Sequence, residues 1–223
     1  MKNPLNYQKE LDGLLARLKQ ESAAGNPPPT LLLHSCCAPC SSYCMQYLRQ
    51  FFQITVFYYN PNISEREEYE KRAAEQKRLI AAYNEEDPGH PIRVQDGDYE
   101  PDCFFQLVKG YESCREGGER CFLCYRQRLE KTAKEANAGG YDYFCTTLSI
   151  SPLKNAAKIN EIGSELAEQY GVAWLPSDFK KKDGYKQSVA LSAEYGLYRQ
   201  DYCGCVYSRE ARNACAKQEK PLS

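Results

Sequence analysis

Apolar residues recur along the chain in two rhythms, and the switching between them predicts helices alternating with strands. From Tyr7 to Glu21, Leu11, Leu14, Leu15 and Leu18 repeat at helical spacing, and Gly25 with Pro27-Pro28-Pro29 closes the pattern. Thr30–His34 is a short, nearly unbroken apolar run, the mark of a buried strand. Helical spacing returns at Tyr43, Tyr47, Leu48 and Phe51, predicting a helix over Ser41–Phe52; a β-rich run, Ile54–Tyr59, follows and stops at Asn60-Pro61-Asn62. Ser64–Tyr83 reads as a long charged surface helix opened by a capping box of Ser64 and Glu67. Beyond it the pattern predicts a strand at Ile92–Val94, an acidic turn over Asp96–Asp102, a helix over Cys103–Tyr111 and a glycine-containing loop over Arg115–Arg120. A helix over Cys121–Asn137, a strand at Tyr143–Thr146, a turn over Thr147–Pro152, a helix over Asn155–Tyr170 and a short strand at Val172–Leu175 complete the series.

Such alternation argues for an α/β unit with a mainly parallel sheet and right-handed crossovers. Sites in these sheets lie beyond the carboxyl ends of strands, which is the address of the turns after His34 and after Thr146. One metal-binding catalytic domain is expected over residues 30–208, preceded by a helix and linker over 1–29 and followed by a tail over 209–223 whose last ten residues look frayed.

Charge changes this picture little. The 29 basic and 30 acidic residues nearly cancel, so any nucleic-acid surface must come from local clustering. No apolar run reaches the length of a membrane span and the first ten residues lack a signal-peptide core, so a cytoplasmic protein is expected. Cysteine changes it a great deal. Twelve cysteines in a reducing compartment point to metal or redox ligands rather than to disulfides.

The cysteines cluster at three places. Cys36 and Cys37 are adjacent, an awkward pair for one tetrahedral zinc but suited to separate corners of a cubane iron–sulfur cluster, and the following helix N-terminus favours thiolates. Cys121-x-x-Cys124 at a helix start is a half-site for zinc or iron–sulfur ligation. Cys40 with Cys203-Gly204-Cys205 fits a second, mononuclear metal with an open position. Buried core thiols at Cys36/Cys37, and a structural zinc through Cys121/Cys124, remain the plain alternatives. Cys44, Cys103, Cys114, Cys145 and Cys215 carry no pattern.

Polar candidates surround these. His34 fits either a hydrogen-bonded structural histidine or a ligand or proton donor. Thr146, Thr147, Ser149 and Ser151, with Lys154 at the next helix start, fit a phosphate cradle or a solvated helix cap. Lys180, Lys181 and Lys182, interleaved with Phe179, Tyr185, Tyr195, Tyr198, Arg199 and Tyr202, fit a solvated face or a platform for a splayed single-stranded nucleotide.

At His34-Ser-Cys36-Cys37-Ala-Pro-Cys40, Cys121-x-x-Cys124-Tyr125, Thr146-Thr-Leu-Ser-Ile-Ser-Pro-x-Lys154-Asn155 and Leu197-Tyr-Arg-Gln-Asp201-Tyr-Cys203-Gly-Cys205, the chain resembles the QueH family of cobalamin-independent epoxyqueuosine reductases. The resemblance covers roughly residues 31–208. It implies a Rossmann-like fold of the adenine-nucleotide hydrolase (HUP) type, and an enzyme that removes the epoxide oxygen of epoxyqueuosine in the anticodon loop of tRNA to give queuosine. It also implies a [4Fe-4S] cluster on Cys36, Cys37, Cys121 and Cys124, and a mononuclear iron on Cys40, Cys203 and Cys205, the first of these positions being aspartate in some relatives. Deoxygenation takes two electrons from an external donor that the sequence does not identify, a Lewis-acidic iron for the oxygen, and a proton for which Asp201, His34 and Tyr202 are candidates. Two readings of other classes stand beside it: a zinc-stabilised nucleic-acid-binding module without redox chemistry, and an adenylating thiolation enzyme. The latter needs a glycine-containing pyrophosphate loop that Ser35–Ser42 lacks.

Overall fold

The computed structural model describes residues 5–218. Its sheet has five strands, β1 Thr30–His34, β2 Gln53–Tyr58, β3 Arg93–Asp96, β4 Tyr143–Thr146 and β5 Ala173–Trp174. They lie in the order β3-β2-β1-β4-β5 and every neighbouring pair is parallel, as the alternating rhythms predict. The helices among the described residues are α1 Tyr7–Ala23, α2 Ala38–Leu48, α3 Arg66–Glu86, α4 Pro101–Leu107, α5 Glu119–Ala138, α6 Ala156–Tyr170, α7 Gly184–Glu194 and α8 Val206–Gln218. None is long and apolar enough to cross a membrane.

The chain builds outward from β1 to β3, then returns to the other side of β1 for β4 and β5. That reversal makes the β1/β4 seam a switch point, where the carboxyl ends of two adjacent strands open a crevice. Register places His34 beside Thr146, so the turns that follow them lie side by side. Leu31, Leu32 and Leu33 are all fully buried, as a central parallel strand covered on both faces requires. Leu11, Leu15 and Leu18 of α1 join the same core, each burial contributing roughly 1.5–3 kcal/mol.

Four local expectations are corrected. The second helix begins at Ala38 rather than Ser41, because Pro39 is pre-set for a first helical turn; Cys37 becomes its extended N-cap and Cys40 lies within the helix. No capping box forms at Ser64, since α3 starts after an extended Glu65, and the Ser64 hydroxyl instead accepts from the Val206 amide at 2.9 Å. Asp96 belongs to β3 and Asp102 to the first turn of α4, so the acidic stretch between is shorter than expected. The expected frayed end is helical in α8 as far as Gln218, and residues 219–223 lie outside the described part.

Candidate active site

Strand β1 delivers the chain into the crevice at Ser35, and three sulfurs follow at once. Cys36, Cys37 and Cys40 bring their Sγ atoms within 4.8 Å of one another, with Cys36 and Cys37 3.8 Å apart. Cys121 and Cys124, on the first turns of α5, line a cavity together with Cys203 and Cys205 from the loop before α8. Cys203 also lines the adjoining groove, together with Cys36 and Cys40. Six thiols from three distant segments therefore line two adjoining hollows, with Cys37 beside Cys36, and among the described residues the three of the β1–α2 turn form the close sulfur group. Cys44 and Cys145 are buried in the core instead, bonded to the carbonyls of Cys40 and Leu175. Cys103 is exposed and Cys114 half-buried, while exposed Cys215 stands on the groove wall.

Buried polar side chains fix each cysteine segment. Gln76 Oε1 accepts from the hydroxyls of Ser35 at 2.7 Å and Ser41 at 2.8 Å, and Asn60 Nδ2 donates to the Ser35 carbonyl at 2.9 Å. Thr147 Oγ1 accepts from the Cys36 amide and lies 3.6 Å from the Cys36 sulfur. The Gly117 amide donates to Cys121 Sγ at 3.2 Å and the Ser208 amide to Cys205 Sγ at 3.4 Å. Between Cys203 and Cys205, Gly204 has φ 111°, and a Cβ there would stand 2.8 Å from Ile63 Cγ1. Only glycine lets that loop press against α3 and the Asn60–Asn62 turn.

Hydrogen bonds from the Cys37 and Cys40 thiols hold Cys36 well below the ordinary cysteine range, which makes it the thiolate of its trio. Burial pushes Cys124 and Cys205 up to about 12. Cations crowd the same sulfurs: Arg128 is 1%, Arg72 2% and Arg120 4% exposed. Burial opposes the charge on Lys154, yet its coupling to the neighbouring sulfurs, that of Cys203 first and the Cys36 thiolate next, outweighs it and raises its pKa. A set of convergent sulfurs, amides aimed at sulfur and cations without enough carboxylates fits a thiolate-bound, net-negative metal–sulfur group.

Outside the sulfurs opens a groove of about 700 Å³, walled by Pro39, Ile150, Pro152 and Leu153 and edged by Ser151, Lys154, Tyr185, Arg199, Asp201 and Tyr202. Asp201 pairs with Arg212 at 3.3 Å, and the Arg72 guanidinium lies 5.1 Å from the centre of the Tyr202 ring. Other predicted site residues are elsewhere. His34 is fully buried, with Nε2 donating to the Tyr59 carbonyl at 3.0 Å and Nδ1 accepting from the Thr146 hydroxyl at 2.8 Å; burial lowers its pKa to about 3. It is a neutral structural histidine, which corrects its candidacy as a proton donor. Thr146, Thr147 and Ser149 are likewise buried and bonded internally, so the expected hydroxyl cradle for phosphate shrinks to Ser151 and Lys154. Lys180 pairs with Asp178, Lys181 is exposed away from the groove, and Phe179 is in the core. Tyr198 turns to α3, its hydroxyl on Glu68 and its ring 3.5 Å from Lys71 Nζ, so it offers no stacking surface in the groove.

Sequence reasoning missed Arg72, Gln76, Arg128, Asn60 and Asn62. A signal existed: Tyr69, Arg72, Gln76, Leu79, Ile80 and Tyr83 form one helical stripe, as do Cys121, Cys124, Tyr125, Arg128 and Leu129, with polar residues standing where a core face wants apolar ones.

Comparison with known proteins agrees with this geometry. A family model described as epoxyqueuosine reductase QueH matches residues 31–211. A protein of Streptococcus pyogenes serotype M1 named epoxyqueuosine reductase QueH is 40% identical over 216 residues, covering 97% of this chain and 83% of that protein. Proteins of the same name from Staphylococcus epidermidis and Thermotoga maritima are 39% and 38% identical, covering 98% and 80% of this chain and 91% and 90% of their own lengths.

Proposed function

The chain belongs to the epoxyqueuosine reductase QueH family, and from that premise we propose how its crevice works as an oxidoreductase that removes the epoxide oxygen of epoxyqueuosine in tRNA to give queuosine. The observation that carries the reading is the convergence of seven thiols at the β1/β4 switch point, beneath a groove of about 700 Å³ that is roomy enough for a splayed nucleoside.

Cys36, Cys37, Cys121 and Cys124 would hold a [4Fe-4S] cluster, and Cys40, Cys203 and Cys205 a mononuclear iron. The Cys40 sulfur lies within 4.8 Å of those of Cys36 and Cys37, so groups held by the two sets would be neighbours. When bound, such a pair supplies electrons singly and an electrophilic open position. The chain's own residues do the rest. Lys154 and Arg199 meet phosphate at the groove edge, and Tyr185, 40% exposed there, offers a ring for base stacking. Pro39, Ile150 and Pro152 keep water from the base of the groove. With His34 spent internally, Tyr202 holds the proton: burial raises its pKa, so the phenol stays protonated at the groove wall. Asp201 positions Arg212 for the backbone.

The test is anaerobic loading with iron and sulfide, followed by incubation with tRNA carrying epoxyqueuosine and a chemical reductant. The expected product nucleoside is lighter by one oxygen. A colourless protein that holds stoichiometric zinc and leaves the nucleoside intact would sink the reading. Cys203→Ala is expected to keep the cluster spectrum while losing the second iron and with it turnover; full turnover in that variant rejects the two-metal arrangement.

A further inference from the structure

One buried cation beside the sulfurs is left with unspent donors. Arg128 sits on α5 one turn after Cys124 and is 1% exposed. Its Nη1 donates to Asn62 Oδ1 at 2.7 Å and lies 4.0 Å from Cys124 Sγ. Its Nε and Nη2 have no hydrogen-bond partner among the described residues. A guanidinium taken out of water with donors unmade is strongly destabilising, so a protein keeps one where an acceptor arrives later. The groups that couple to its charge include the sulfurs of Cys124, Cys203 and Cys36, one from each cysteine segment. Asn62 joins it to this centre from the other side, since its Nδ2 donates to the Cys203 carbonyl at 3.4 Å.

We propose that Arg128 is the built-in countercharge of the metal–sulfur group: Asn62 anchors one nitrogen, and Nε and Nη2 are kept for sulfur acceptors of the loaded site, whose reduction potential the guanidinium raises. The inference rests on reading this crevice as a metal–sulfur site. Its physics is simple. Each electron added to a thiolate-ligated cluster adds negative charge, so a fixed positive charge in a low-dielectric setting stabilises the reduced form more than the oxidised one. A fork of N–H donors to sulfur acts in the same direction. In the metal-free chain the same guanidinium keeps two buried donors unbonded, a cost that loading removes.

The test uses wild type, Arg128→Met and Arg128→Lys, each measured metal-free and after anaerobic loading. Iron and sulfide are counted, the midpoint potential is read by EPR-monitored titration, and melting temperature is taken in both states. Arg128→Met is expected to titrate at lower potential than wild type and to gain less in melting temperature on loading, while its metal-free form melts no lower than wild type. Arg128→Lys keeps the charge and loses the fork, so its potential falls between. A wild-type potential in Arg128→Met overturns the inference, as does a stability loss as large metal-free as loaded, which is what a purely structural residue would give. If Arg128→Met does not fold, Arg128→Lys decides: a lowered potential supports the assignment and an unchanged one overturns it. A wild type that takes up no iron and sulfide removes the metal reading itself, which is distinct from a loaded wild type whose potential Arg128 does not move.

Discussion

Gln76 shows how much of the site is set by single buried polar atoms. One carbonyl oxygen accepts from Ser35 and Ser41, which flank the three clustered cysteines, and so ties the sulfur turn to α3. Replacing it with an apolar residue of like size leaves the two hydroxyls only their bonds to the carbonyls of Cys37 at 3.4 Å and Ala38 at 3.1 Å, so two hydrogen bonds of about 0.5–1.5 kcal/mol each are lost. Gln76→Leu is therefore expected to lower stability by about 1–3 kcal/mol in urea titration and to loosen cluster binding. A midpoint unchanged from wild type would show that the turn holds without α3. At this scale the sequence was legible for sulfur, because cysteine spacing has few other uses, and illegible for the groups that hold sulfur in place. His34 and Thr146 could be seen to end neighbouring strands, but not that they bond each other and spend their remaining polar atoms on nearby backbone. Whether Arg72 or Gln76 faces solvent or a site depends on which helical face packs inward, and α3 is too charged for its pattern to show that plainly.

The helix that carries the cysteines is held by another that the sequence did not mark as important. α7 packs on α2, and the closest approach is at Gly184: a Cβ there would lie 1.9 Å from the Phe179 carbonyl and 2.7 Å from Tyr43 Cε1. Neither neighbour is free to yield, since one is backbone and the other a buried ring stacked on Tyr47. Gly184→Ala is expected to displace the 179–184 segment, cost at least about 1–3 kcal/mol as overpacking does, and move adjacent Tyr185 off the groove. A thermal melt within error of wild type would show that the contact relaxes freely. Among the elements, those with a strong period were readable: the strands and α1, α5 and α6 lie where the pattern puts them. The start of α2 was not, because two apolar-looking cysteines before a proline gave no polar cap to mark it, and the Ser64 motif misled because a competing partner, the Val206 amide, arrives from 142 residues away.

The whole molecule is nearly neutral, with net charge −1, yet its partner is a polyanion. Attraction must then come from the few cations the fold gathers at one edge, Lys154, Arg199 and the exposed Arg212 around the groove, since Arg72 is buried as well as paired with Glu68 at 2.6 Å. Lys180 and Lys181, the most conspicuous basic run in the sequence, contribute little because the chain turns them away from that edge. About three phosphate contacts to a single-stranded loop predict a salt dependence of only about −2 in log affinity against log salt, at roughly 0.7 per contact. Arg199→Ala is expected to flatten that slope by about 0.7 and weaken binding alike for cognate and unmodified anticodon loops, whereas Lys180→Ala leaves it unchanged. A steep wild-type slope, or a larger loss from Lys180→Ala than from Arg199→Ala, would place the RNA track across the other face of α7. A shallow slope has a consequence for selectivity. With so little non-specific attraction, discrimination among tRNAs rests on the fit of the splayed nucleoside into the groove over the sulfurs, and a neutral enzyme is free to leave the RNA once the oxygen is gone.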